Sequence, residues 1–289
     1  MSRVETRQIT LTDPLPQLLN NDYLNRWQAF QRATKAAGIP PVTNSEILES
    51  LKFVFAFSDF VAASCTHDPA MLINLIDGGD LLRRRQSNDY ENKLKAILAD
   101  VSDEDSLMCL LRRCRRRELV RIAWRDLAGW ADLAETMTDL SAFADACLHR
   151  ALKILHRWQC TRSGIPTAED GSEQHLVILG LGKLGARELN FSSDVDLIFA
   201  YPHAGNTRAI RQPTGNEDFF SRLCRRLIKV IGQPTADGFV FRVDARLRPF
   251  GESGPPDHGF RYHGTILSAA GTGVGTLRLD QSPGCRRRH

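Results

Sequence analysis

The chain has 289 residues, enough for one large domain or two ordinary ones. With 42% hydrophobic and 25% charged residues it has the balance of a soluble globular protein, and no apolar run is long enough to span a membrane. A net charge of +4 permits an anionic substrate or partner without demanding nucleic acid. The N-terminus, MSRVETRQITLTDPLPQLL, lacks the basic-then-apolar order of a secretory signal. Seven scattered cysteines, odd in number and without CxxC or CxxH spacing, argue against a disulfide framework and a zinc site and fit a reducing cytoplasm.

Residues 1–20 hold two prolines and little periodicity, which predicts a loose leader. From Asp22 to about 162 the apolar spacing predicts an all-helical region. Pro40-Pro41 breaks it, and Thr43-Asn44-Ser45-Glu46 offers caps for a helix through Leu51 and Phe55. A further helix is predicted from Glu104 to Trp130, and a long one from Ala131 to Cys160 that invites a break near Asp139. The run Arg112-Arg-Cys-Arg-Arg-Arg117 reads as a solvated basic face, and nucleic-acid binding is not favoured. The histidines form no ligand-spaced pair.

Residues 163–174 are polar and carry Gly and Pro, as a linker would. The period then changes. His175–Gly180 and Asp194–Tyr201 read as strands, Glu217–Ile231 as a helix, and Gly238–Leu247 as a third strand. The fold class is α+β, with a small α/β domain at 175–255. Residues 256–289 offer no core element and are expected to be disordered.

Gly180-Leu-Gly-Lys-Leu-Gly185 matches the dinucleotide fingerprint G-x-G-x-x-G after a strand. Only Ala186 to Ser193 separate it from the next strand, too few for a Rossmann helix, and His203-Ala-Gly-Asn206 supplies no acid for a ribose. The spacing suits a phosphate loop beside a metal site instead. Ten residues separate Lys183 from Asp194-Val-Asp196. On a strand, Asp194 and Asp196 share a face about 6.5–7 Å apart. Their repulsion there is about 2–3 kcal/mol at an effective dielectric near 20. A divalent cation relieves it, and Mg²⁺ takes such carboxylates together with substrate phosphates. Asp244 on the third strand supplies a third carboxylate, and three acids of this kind can hold two metal ions for phosphoryl or nucleotidyl transfer.

This pattern resembles the nucleotidyltransferase superfamily typified by DNA polymerase β. In detail, Leu179-Gly-Leu-Gly-Lys-Leu-Gly-Ala-Arg-Glu-Leu-Asn-Phe-Ser-Ser-Asp-Val-Asp-Leu-Ile-Phe-Ala-Tyr201 resembles the signature of the glutamine synthetase adenylyltransferase/adenylyl-removing enzyme family. So do Thr235 to Pro255, Phe57-Ser-Asp-Phe-Val61 and Arg115-Arg-Arg-Glu-Leu-Val-Arg-Ile-Ala-Trp124, and the likeness covers about residues 50–255. The family carries two nucleotidyltransferase copies in a much longer chain, and this one is similar to the N-terminal copy.

The resemblance implies a polymerase β-like domain, Asp194 and Asp196 as metal ligands with Asp244 in the third position, and two Mg²⁺ ions as cofactors. It further implies removal of AMP from a tyrosine of glutamine synthetase by phosphorolysis, with ADP released, and control by the PII signal protein. Around the acids, Gly180 and Gly182 would let backbone approach phosphate and Lys183 would neutralise it. Ser192 and Ser193 would offer hydroxyls. Arg242, Arg246 and Arg248 share a face with Asp244, either to fork onto phosphate or as counterions to the aspartates. Past Pro255 the likeness stops, as a shifted reading frame or early stop would produce, so impaired activity is expected. The competing function is a non-catalytic fragment that binds glutamine synthetase or PII, or a nucleotidyltransferase with another acceptor.

Overall fold

A computed structural model describes residues 15–86, 88–208 and 212–244, together with the backbone of 275–277. The elements in chain order are α1 (Gln17–Ala36), α2 (Ser45–Phe57), α3 (Asp59–His67), α4 (Pro69–Asp77), α5 (Asp89–Ile97), α6 (Glu104–Leu127), α7 (Leu133–Ser163), β1 (Ile165–Thr167), β2 (Val177–Leu181), α8 (Gly182–Gly185), β3 (Val195–Ala200), β4 (Asn206–Arg208), α9 (Asn216–Gly232), β5 (Val243–Asp244) and β6 (Gly275–Leu277). The mixture of helices and small sheets is α+β. Among the described residues no helix is long and apolar enough to cross a membrane.

Several expected boundaries shift. Helix α1 begins at Gln17, so the last residues of the expected leader are helical. Helix α7 runs through Asp139 without the break that position invites. The segment 163–174 contains β1, which pairs antiparallel with β4. The tail expected to hold no element contributes β6, antiparallel to β2 at Ile178–Gly180. The rest of 256–289 lies outside the described residues. Contacts divide the chain into Met1–Arg85 with Arg116–Thr136, and Gln86–Arg115 with Met137–His289.

In the first unit the helix starts are set by short polar side chains. Asn44 Oδ1 accepts from the backbone N–H of Ile47 at 3.0 Å, Ser58 Oγ from Val61 at 3.2 Å, and Asp68 Oδ1 from Met71 at 3.1 Å. Pro69 then occupies the first turn of α4, where its missing N–H costs nothing. The apolar faces close on Phe30, Phe55 and Trp124, whose rings meet edge-on at 5.7 and 6.0 Å. The Trp124 indole N–H donates to Ser50 Oγ at 2.9 Å, so the largest buried ring leaves no polar atom unpaired. Beside this core lies a buried ionic cluster. Glu118, only 3% exposed, accepts from Arg121 at 2.9 Å and from Arg117 at 2.5 Å, while Asp80 pairs with Arg85 at 2.8 Å.

In the second unit the sheet order is β5-β3-β2-β6. Strands β2 and β3 form an antiparallel pair from Val177↔Ala200 to Leu181↔Asp196, and β5 runs parallel to β3 with Val195↔Val243 and Asp196↔Asp244 in register. Strand β3 alternates buried Val195, Leu197 and Phe199 with half-buried Asp196 and Ile198, the pattern of a strand with one covered face. Between β3 and β5 runs α9, whose buried residues Phe219, Leu223, Leu227, Val230 and Ile231 recur at helical spacing. Its C-terminal end is held by Arg112. That side chain donates to the carbonyls of Gly238 at 2.7 Å, Val230 at 3.1 Å and Gln233, and is 1% exposed. The basic run is therefore not wholly the solvated face that composition favours: Arg112 is a buried structural donor whose charge is satisfied by carbonyls.

Candidate active site

The three acids picked out by spacing lie at one end of the sheet. Asp194 immediately precedes β3, Asp196 is its second residue, and Asp244 is the register neighbour of Asp196 on the parallel β5. Neighbours in register project to the same face, and so do residues two apart on one strand. Withdrawal from water first, and then the charges of Asp244 and Asp194, hold the Asp196 carboxyl above its ordinary range.

Room for that carboxylate comes from the glycine turn. Gly182 opens α8 with φ +54°, and a Cβ there would stand 2.6 Å from Asp196 Oδ2. Any other residue would strain the backbone and push the carboxylate aside. Gly180 serves packing instead, since a Cβ there would come within 3.1 Å of Leu184. Lys183 is exposed on the first turn of α8.

The polar turn 190–193 is tied to itself. Asn190 Oδ1 accepts from the hydroxyl of Ser193 at 2.7 Å and from the backbone N–H of Ser192 at 3.2 Å. The Ser192 hydroxyl also donates to Asn190, at 3.3 Å. The two serines thus brace the approach to Asp194. The hub, Asn190, was not among the predicted site residues, although a side-chain amide two and three residues before serines is a turn signal. A further anchor comes from α7, where Ser141 Oγ accepts the Leu189 N–H at 3.2 Å.

Arg242 resolves one of the two roles open to it in this structure. Its guanidinium pairs with Asp194 and donates to the Ser192 carbonyl at 2.6 Å, so it stands as a counterion. Arg246 and Arg248 lie outside the described residues.

Among the described residues no three His, Cys, Asp or Glu side chains are gathered closely enough to enclose one cation. In kind, the donors suit a hard divalent ion, which takes carboxylate and other oxygen ligands. Beside the burial that raises the Asp196 carboxyl, the charges of Asp244 and Asp194 push it the same way, and a cation would offset that part.

The family model for glutamate-ammonia ligase adenylyltransferase matches residues 48–261, a span that includes the acids, the glycine turn and the helical region before them. The bifunctional glutamine synthetase adenylyltransferase/adenylyl-removing enzyme of Nitrosococcus oceani is 48% identical over 242 residues, which is 83% of this chain and 25% of the relative. The enzyme of the same description from Pseudomonas aeruginosa is 50% identical over 216 residues, 74% of this chain and 22% of that one. That of Shewanella loihica is 42% identical over 241 residues, again covering 83% and 25%. This chain therefore spans about a quarter of the length of the curated relatives it matches.

Proposed function

Because the chain belongs to the glutamate-ammonia ligase adenylyltransferase family, we propose that its sheet-end acids serve nucleotidyl transfer on glutamine synthetase, in the adenylyl-removing direction. The observation that carries this reading is the placement of Asp194, Asp196 and Asp244 at one sheet end, beside a glycine whose hydrogen faces the central carboxylate. The β2–β3 hairpin, the α9 crossover and the parallel β5 support a polymerase β-like nucleotidyltransferase domain.

In the proposed reaction an oxygen of inorganic phosphate forms a bond to the phosphorus of the AMP–tyrosine ester. The bond from that phosphorus to the tyrosine oxygen breaks in line. ADP is the first product, and the departing phenolate takes a proton from water. A phenolate leaves readily because its acid has a pKa near 10, and no side-chain nucleophile is needed.

Asp194, Asp196 and Asp244 are the residues that would hold Mg²⁺. When bound, the ions would supply positive charge to the transferring phosphoryl group and to the leaving oxygen. The turn of Gly182 and Lys183 presents backbone N–H groups and an ammonium to phosphate. Arg242 must leave Asp194 as the site loads, and its planar fork then suits a phosphate oxygen pair. Adenylylated glutamine synthetase is the proposed substrate, PII the proposed regulator, and the cytoplasm the proposed compartment.

A second reading is favoured by the Arg242–Asp194 pair and the ungathered acids: a non-catalytic piece that binds glutamine synthetase or PII. Thermal melts with and without Mg²⁺ separate the two. A metal-dependent rise in Tm that is lost in Asp194→Ala/Asp196→Ala is the result expected of the enzyme. Identical curves for parent and variant, together with no ADP formed from adenylylated glutamine synthetase and phosphate, would favour the binding piece.

A further inference from the structure

Where α9 ends against the start of β5 there is an open groove of about 480 Å³, a size typical of small-molecule sites. Arg225, Lys229 and Arg242 line it, over an apolar floor that includes Ile228 and Val243. We propose that this groove binds the phosphates of a nucleoside diphosphate, with Arg225 and Lys229 as anion contacts and Arg242 shared between the groove and the acid corner. The proposal deepens the adenylyl-removal reading, on which it rests, by giving the ADP product a place.

Charge bookkeeping around the groove favours an anion. Glu104 pairs with Arg226 and, at 3.6 Å, with Lys229, so two cations share one carboxylate. Arg225 donates its Nε to the Ser221 carbonyl and makes no ion pair with an acid among the described residues. The C-terminal end of a helix would ordinarily repel an anion through its exposed carbonyls. Here four carbonyls at that end are occupied. Lys229 accepts from the Gln233 N–H at 3.0 Å, Ile231 from Val240 at 2.9 Å and Phe241 at 3.2 Å, and Val230 and Gln233 from buried Arg112. The buried Arg112 cation offsets part of the negative end of α9, which favours the side-chain cations in the local field. The groove far exceeds a lone phosphate, and Ile228 with Val243 offers apolar surface for the sugar and base.

Arg242 connects the two places. It lies on the groove and pairs with Asp194, which precedes β3 by one residue. A phosphate arriving in the groove competes with Asp194 for the same guanidinium. Loading would thereby free the carboxylate.

The test is calorimetric titration of the full chain in metal-free, low-salt buffer with ADP, inorganic phosphate and adenosine as separate probes. ADP is expected to bind, phosphate to bind more weakly, and adenosine to give no saturable heat. In Arg225→Gln/Lys229→Gln, ADP affinity should fall about tenfold or more, the loss of two charge-assisted contacts. Single variants report the same trend if the double variant folds poorly. Phosphate binding as tight as ADP would show an anion site with no nucleoside contact and overturn the diphosphate assignment. Unchanged ADP affinity in the variants, or no ADP binding by the parent, would overturn the groove. If parent binding depends on Arg225 and Lys229 while no ADP is ever formed from adenylylated substrate, the groove stands and the catalytic reading falls.

Discussion

The ionic cluster of the helical unit and the acid corner of the sheet unit use similar residue types to opposite ends. Around Glu118 the cations outnumber the carboxylates, every partner is close, and the group is almost wholly withdrawn from water. Around Asp196 the carboxylates outnumber the cations, and the three acids stand at a partly exposed sheet end. Paired charge in the interior, each cation held against a carboxylate, fixes a structure. Unbalanced charge at a surface cleft costs stability and leaves a demand that a ligand can meet. Residue identity alone does not separate these cases; pairing and burial do.

Substitution can sharpen that contrast, and the largest effect belongs to the helical unit. Glu118→Gln leaves Arg85, Arg117 and Arg121 short of their shared acceptor. Removing one partner from a buried ion cluster should cost about 3–5 kcal/mol, read as a lower midpoint in urea unfolding.

Next in size is Asp145 on α7, 4.0 Å from Arg187. Burial pushes its carboxyl up to about 6, while the arginine pulls the other way. The unfolded chain titrates near the ordinary 3.8, so between these two values the folded state holds the extra proton. Stability must then fall as pH rises from about 4 to 6 and stay reduced above it. Asp145→Asn should therefore raise stability by about 2–3 kcal/mol at pH 7.5, and the gain should vanish by pH 4. Paired melts of parent and variant across that range isolate this residue, because the lowered carboxyl of Glu91 acts in the opposite sense in both.

Smaller again is Gly182→Ala. A left-handed backbone at a residue with a Cβ costs about 1–2 kcal/mol, and the 2.6 Å approach to Asp196 adds displacement of the carboxylate. The melt should move modestly, whereas phosphorolysis should fall far more. An unaltered rate would break the link between the turn and the acid.

The smallest stability change is expected at the corner itself. Asp196→Asn removes a like charge from beside Asp194 and Asp244, so the fold should gain less than about 1 kcal/mol, screened by solvent. ADP formation should nevertheless be lost. A destabilising Asp196→Asn would place that residue with Glu118 as a structural charge.

Much of the helical half was legible because caps and apolar spacing are local signals: Asn44 caps α2 as the Thr43–Glu46 run proposed. The two β2–β3 strands and α9 followed from a change of period. What escaped depends on distant neighbours. Nothing in the Arg112–Arg117 run reveals that Arg112 reaches carbonyls more than a hundred residues away. The two glycines of the turn look alike in sequence, yet Gly180 makes room for Leu184 and Gly182 for Asp196. The pairing of β6 with β2 joins segments nearly a hundred residues apart, beyond any local pattern. Asp194, Asp196 and Asp244 stood out in the sequence because charged residues beside short apolar runs contradict their setting, and the structure places them at one sheet end.

The most direct measurement follows radiolabelled inorganic phosphate in a mixture of this chain, Mg²⁺ and adenylylated glutamine synthetase. The acid-corner account predicts label in ADP, in step with loss of AMP from the synthetase, and none when Asp196→Asn replaces the parent. Unlabelled AMP as the product, or equal label from parent and variant, would contradict it.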